Sequence, residues 1–110
     1  MALAPIRRGD VVLINLNPAR GGEIRKTRPC LVVSPDELNA NLRSFIVAPL
    51  TTGSHSYPFR VPCKFKGKSG HVVLDQIRTV DRERLVKHLG ALSPVVLGRA
   101  LGVLREMFAP

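Results

Sequence analysis

Apolar residues in this 110-residue chain come in short bursts. No uninterrupted apolar run exceeds four residues, as at Val11–Ile14 and Cys30–Val33, and nine Gly and nine Pro are scattered between them. That grain excludes a membrane-spanning helix, which needs about 20 consecutive apolar residues. It favours many short strands punctuated by turns. With 45% hydrophobic residues the chain is not globally disordered. Its length fits a single domain over residues 1–110, able to bury a core without metal or disulfide staples.

Read along the chain, Asp10–Leu16 is a strand bounded by Gly9 and Asn17–Pro18. Asn17–Thr27 is polar, carries Gly21–Gly22, and reads as a mobile loop. Arg28–Ser34 is a second strand, with Pro29 tolerated near its start. Ser34-Pro35-Asp36-Glu37 opens a short helix, with Ser34 as cap, Pro35 at the first helical position and Glu37 completing a capping box. Phe45–Leu50 is a third strand, followed by a loop over Thr51–Tyr57. Phe59–Phe65 and His71–Leu74 form a pair around a turn at Lys66–Gly70, and Lys87–Leu92 is the last strand.

Ser93–Pro94 repeats the cap-then-proline signal before a C-terminal helix. Leu97, Leu101, Leu104 and Phe108 recur at helical spacing, with Val96, Ala100, Val103 and Met107 beside them. This broad stripe packs onto the sheet and offers a surface for a second copy of the chain. Together these elements predict a mainly β, α+β fold: a small antiparallel barrel or curled sheet with a short inserted helix and a closing helix.

Charge narrows the class of partner. Seventeen Lys and Arg face eight Asp and Glu, a formal net charge of +9, which suits a polyanion: nucleic acid, an acidic protein or a membrane surface. The final helix has too few cations on a polar face for membrane binding. Met1–Ile6 is too short for a signal-peptide core and is followed by Arg7–Arg8. Cys30 and Cys63 do not amount to a disulfide framework and read as small buried hydrophobes, so a reducing, cytoplasmic location is expected.

Phosphate-loop, dinucleotide-fingerprint and HExxH signatures are all missing. The three histidines, His55, His71 and His88, lack metal-ligand spacing, so no metal and no cofactor is expected. Two polar stretches border apolar strands. Gly21–Pro29 carries Glu23, Arg25, Lys26, Thr27 and Arg28, and Ala48–His55 carries Thr51, Thr52, Ser54 and His55. A guanidinium beside hydroxyls suits the grip of a phosphate, although exposed loops and strand-end capping use the same residues.

Four segments carry a resemblance to the MazF/PemK family of toxin–antitoxin endoribonucleases: R-G-D-V-V-L-I-N-L-N-P at Arg8–Pro18, G-G-E-I-R-K-T-R-P-C-L-V-V at Gly21–Val33, I-V-A-P-L-T-T-G-S-H-S-Y-P-F-R-V at Ile46–Val61 and D-Q-I-R-T-V-D at Asp75–Asp81. Their order and spacing span nearly the whole chain. The resemblance implies a strongly curled, SH3-like barrel of the PemK/CcdB type, assembled as a twofold homodimer. It also implies metal-independent, sequence-selective cleavage of single-stranded RNA, in which a 2′-hydroxyl attacks the adjacent phosphorus. The products would carry 2′,3′-cyclic phosphate and 5′-hydroxyl ends, and an acidic antitoxin protein would neutralise the enzyme.

The family's functional Arg falls on Arg28 and its functional Thr on Thr51, with Thr52 adjacent. Internal attack supplies the nucleophile, so the protein has to orient it and stabilise charge on the phosphoryl oxygens. A free guanidinium has a pKa above about 12, which makes Arg28 a stabiliser or general acid rather than a base. Glu23 and His55 are the candidates to accept the 2′-proton, and either is also suited to contacting RNA.

Asp75 and Gln76 suit base reading or site organisation, Asp75 also an ion pair with Arg78, and Tyr57 and Phe59 suit base stacking or the core. Arg25, Lys26, Thr27, Ser54 and Arg78 complete the expected RNA-binding set. Arg25 and Lys26 make the loop before Arg28 more charged than the family pattern, while Lys64, Lys66 and Lys68 extend a phosphate track. The rival reading is a non-enzymatic toxin or binding module like CcdB, a gyrase poison of the same architecture. Such a binder has no need of the Arg28 and Thr51 motifs.

Overall fold

The computed structural model describes residues 5–53 and 56–110. Strand β1 (Asp10–Asn15) is followed by β2 (Thr27–Val32), helix α1 (Asp36–Asn41), β3 (Ser44–Thr52), β4 (Arg60–Phe65) and β5 (Lys68–Val73). After one 3-10 turn at Leu74–Gln76 come β6 (Arg78–Asp81), a second such turn at Arg82–Arg84, β7 (Leu85–Ala91) and helix α2 (Pro94–Phe108). All described pairings are antiparallel, in the order β4-β5-β3-β2-β1-β7, with β6 on β3. The sheet is curled but not closed. Its two ends meet through side chains, the Phe65 ring of β4 lying against Gly90 of β7.

Strand β3 organises the sheet. Ser44–Val47 pairs with β6, Leu50–Thr52 pairs with β5, and Val47–Pro49 pairs with β2. Alternating side chains feed two cores. Val11, Leu31, Ala48, Leu50, Val72 and Leu74 join one, onto which α2 packs Val96, Leu97, Val103 and Met107. Val12, Ile14, Cys30, Val32, Phe45 and Val47 join the other. Burial on both faces explains why β1 reads as unbroken Val, Leu and Ile rather than as an alternation. Each fully buried side chain of this kind contributes about 1.5–3 kcal/mol of transfer free energy.

The structure corrects several expectations. Thr51 and Thr52 belong to β3 and do not begin a loop, because the backbone ladder to His71 and Gly70 carries the strand past its apolar stretch. The β4–β5 turn is the two residues Lys66–Gly67, not Lys66–Gly70. Strand β6 was not anticipated, since only Val80 among its four residues is buried. Helix α1 has no capping box. Pro35 is its N-cap, without a side-chain hydrogen bond, and the Ser34 hydroxyl turns to Asn39 instead. The Ser93 cap of α2 holds, its Oγ accepting from Val96 N at 3.2 Å, with Pro94 in the first turn. Helix α2 packs six residues of the expected stripe, Val96, Leu97, Ala100, Val103, Leu104 and Met107, onto the core, while Phe108 is left 72% exposed. No helix among the described residues is long and apolar enough to cross a membrane.

Candidate active site

Where β2 and β3 part, a cavity of about 600 Å³ opens. Their ladder ends at Cys30–Pro49. Pro29, at the next hydrogen-bonding position, lacks the N–H that would continue it. Extending the same register by two residues puts Arg28 level with Thr51, and both line the cavity. Arg28 is half-buried, and its Nε donates to the Arg25 carbonyl at 3.2 Å. Among the described residues its terminal N–H groups take no partner, so the forked end is left for a ligand. Thr27, Thr52 and Ser69 add hydroxyls, and Lys26, Lys66 and Lys68 add charge.

Thr51 owes its place to Gly70. A Cβ built on Gly70 would stand 1.7 Å from the Thr51 carbonyl oxygen. Only glycine lets β5 approach β3 this closely, and that approach brings the β4–β5 hairpin to the cavity.

Other expected site residues lie outside the cavity lining and support it. Gln76 Oε1 accepts from Ile24 N at 2.7 Å, and its Nε2 donates to the Gly22 carbonyl at 3.2 Å. Its amide therefore holds the β1–β2 loop. Arg78 donates to the Leu16 carbonyl at 3.2 Å, and Arg84 to the Asn15 carbonyl at 3.0 Å. The loop expected to be mobile is thus pinned from β6 and the turn after it. Asp75 forks onto Arg60 at 3.0 and 3.1 Å rather than pairing with Arg78. Arg60 stacks 5.0 Å from the Tyr57 ring centroid, and the Asp75 hydrogen bond holds its guanidinium pKa above the ordinary value.

Glu23 accepts from the Arg20 backbone N–H, Arg25 donates to the Gly21 carbonyl at 3.1 Å, and Phe59 is exposed. Ser54 and His55 lie outside the described residues.

Residues 7–108 match the family of PemK-like, MazF-like toxins of type II toxin–antitoxin systems. The chain belongs to that family. It is 37% identical over 94 residues to endoribonuclease MazF of Staphylococcus epidermidis, covering 80% of this chain and 78% of the relative. Among solved structures, MazF from Deinococcus radiodurans superposes with a TM-score of 0.84 at 31% identity, over 94% of this chain and 96% of that one. A mycobacterial endoribonuclease in complex with its cognate antitoxin gives 0.79 at 25% identity, over 97% and 98%.

Within this PemK/MazF scaffold, several cavity residues were not among the expected site: Cys63, Phe65, Ser69, Gly70 and Leu89. The lysine spacing at 64, 66 and 68 was the available signal. The hairpin divides them, turning Lys66 and Lys68 to this cavity and Lys64 to a shallower depression beside His71. Both cysteines are free. Burial pushes the Cys30 thiol up to about 12 against the lowering charge of Arg78, and raises Cys63 as well. Both stay protonated near neutral pH. Among the described residues no three His, Cys, Asp or Glu side chains gather as a metal site.

Proposed function

We propose that this chain is a sequence-selective, metal-independent endoribonuclease toxin that cleaves single-stranded RNA in the cavity between β2 and β3. The observation that carries the reading is the convergence of Arg28 and Thr51 on one cation-lined cavity. The ribose 2′-oxygen attacks the adjacent phosphorus, and the bond to the 5′-oxygen breaks. One product ends in a 2′,3′-cyclic phosphate and the other in a 5′-hydroxyl. The free fork of Arg28 donates to the phosphoryl oxygens as their charge grows, and Thr51 adds a further hydrogen bond. Arg28 acts toward the departing 5′-oxygen as a general acid or as an electrostatic stabiliser. Thr52 lies in the same cavity, and pH–rate profiles of Glu23→Gln and His55→Ala identify which group takes the 2′-proton.

Residues 1–110 act as one domain, assembled as a homodimer in the cytoplasm. An acidic antitoxin competes with RNA for the basic surface of a chain carrying +9, as the complex of the mycobacterial relative with its cognate antitoxin supports. The decisive experiment incubates the protein with mixed-sequence single-stranded RNA in excess EDTA, followed by end-group analysis. Cyclic-phosphate ends are expected. Intact RNA overturns the reading and returns the chain to a binding toxin, whereas products with 3′-hydroxyls overturn the proposed 2′-attack chemistry.

A further inference from the structure

Three non-glycine residues of the described chain have left-handed backbone: Lys26 (φ 71°), Phe59 (φ 64°) and Lys66 (φ 49°). That region crowds Cβ against the neighbouring carbonyl, and Gly or Asn enters it with the least strain. Two of the three are lysines, they come from separate loops on either side of β3, and both line the cavity that holds Arg28 and Thr51. Lys66 occupies the first position of a two-residue turn whose second residue, Gly67, has φ 80°. The backbone of such a turn favours Asn or Gly at the position Lys66 holds. A long cation kept where a smaller residue relieves strain points toward a binding role.

The surroundings of these lysines point the same way. Among the described residues no carboxylate lines the cavity, and neither Lys26, Arg28, Lys66 nor Lys68 belongs to an ion pair. The Lys66 ammonium lies 5.7 Å from the Phe65 ring centroid, a perch that orients the charge without neutralising it. The cavity therefore gathers positive charge with no carboxylate among the described residues of its lining to balance it.

We propose that Lys26 and Lys66 form a phosphate clamp, holding backbone phosphates of the RNA strand on the two sides of the link presented to Arg28 and Thr51, with Lys68 extending the hairpin side. The proposal rests on the reading of this cavity as the place where RNA is cut. A nucleic acid strand fits better than an acidic peptide because the floor between the lysines is Pro29, Leu50, Phe65 and Leu89. A base covers that floor while its phosphates meet the cations; a row of carboxylates leaves it bare.

The test uses a fluorescein-labelled, 2′-O-methylated single strand of mixed sequence, which binds whether or not the protein can cut it. Its affinity is measured by anisotropy across a salt series for the wild type, Lys26→Asn, Lys66→Asn and the double variant. Each lost phosphate contact lowers the slope of log affinity against log salt by about 0.7. Between about 1 M and about 50 mM salt, each single variant should fall behind the wild type by about eightfold, and the double variant by about 65-fold. Melting temperatures should stay level or rise, since Asn is at ease in left-handed backbone. Lys66→Arg should restore the slope.

An unchanged slope overturns the clamp, and so does a loss of affinity that tracks a loss of melting temperature. Unchanged RNA binding with weakened binding of a synthetic Asp/Glu-rich peptide assigns the lysines to a protein partner and also overturns it. Unmodified RNA incubated with the wild type tests the cleavage reading separately. Slopes that fall in the variants as expected, with no cutting of unmodified RNA by the wild type, leave the clamp standing and remove only the enzyme.

Discussion

The β1–β2 loop and the β4–β5 hairpin both deliver cations to one cavity, yet they are held in different ways. The loop has almost no ladder of its own. Gln76, Arg78 and Arg84 hold it by reaching across from residues more than fifty positions later in the chain. The hairpin is held by its own backbone, with six residue pairs in register from Arg60–Val73 to Phe65–Lys68, and by one close approach at Gly70. Order borrowed from distant side chains is lost one contact at a time. Order made by a ladder is lost all together. The loop rim should therefore soften without unfolding, and the hairpin rim should resist until the sheet itself yields.

The largest effect expected lies where the loop joins β2. Arg28→Ala should lower cleavage by at least about 100-fold, the usual loss when one donor to a developing oxyanion is removed. Far-UV circular dichroism and the oligomeric state in solution should be unchanged. Cleavage at the parental rate would remove Arg28 from the chemistry.

Next comes the hairpin. Gly70→Ala forces a methyl against the Thr51 carbonyl, and overpacking of this kind costs about 1–3 kcal/mol. Urea unfolding should show that loss together with reduced activity. A variant as stable as the parent means that β5 has room to shift, and the contrast between the rims weakens.

Gln76→Ala tests the other side of the contrast. It leaves the Ile24 N–H and Gly22 carbonyl without their partner, at a cost of about 1 kcal/mol or less for groups this close to water. Cleavage should fall about tenfold through misplacement of the loop. Hydrogen exchange should accelerate at Gly22–Arg25 while residues 60–73 keep their protection. Acceleration in both regions would show that the rims are one cooperative unit.

The smallest effect is electrostatic. The Glu83 backbone N–H, with Arg43 and Arg84, holds the Asp81 carboxyl below the ordinary carboxylate range. A lowered carboxylate pKa stabilises the fold above the unfolded value, about 3.9, and that contribution is lost as pH falls through the folded value. Asp81→Asn should therefore lower the urea midpoint slightly at neutral pH, and the difference from wild type should close in acid. A difference that persists at low pH would assign the effect to packing. Neither rim should respond.

What could be read from the amino acids follows the same division. Strands β1, β2 and the first part of β3 announce themselves because Val, Leu, Ile and Phe fill two cores, and Ser93–Pro94 marks α2 by cap chemistry. Strand β6 is hidden, because only one of its four residues is buried and it exists through its ladder to β3. The start of β5, Lys68-Ser69-Gly70, is hidden for the same reason. Arg28 and Thr51 stand out as polar groups beside strands and through the family motifs. The hairpin wall of the cavity does not, because it depends on a missing methyl at Gly70, and a sequence displays glycine identically whether it frees a turn or admits a neighbour. Gln76 and Asp75 are visible as polar groups, but their commitments to Ile24 and Arg60 are long-range facts.

One consequence concerns the floor of the cavity. Phe65 and Leu89 both contribute to it, yet they come from the two ends of the strand path, β4 and β7. No described backbone pairing ties those edges together, and the Phe65 ring against Gly90 is what bridges them. The site is therefore seated on an unlaced seam. Widening it breaks dispersion contacts of about 0.1–0.2 kcal/mol per atom pair and no ladder hydrogen bond. If RNA binds here as proposed, parting these two edges is the least costly way to admit a larger base, because Arg28 and Thr51 stand on β2 and β3 and not on the seam.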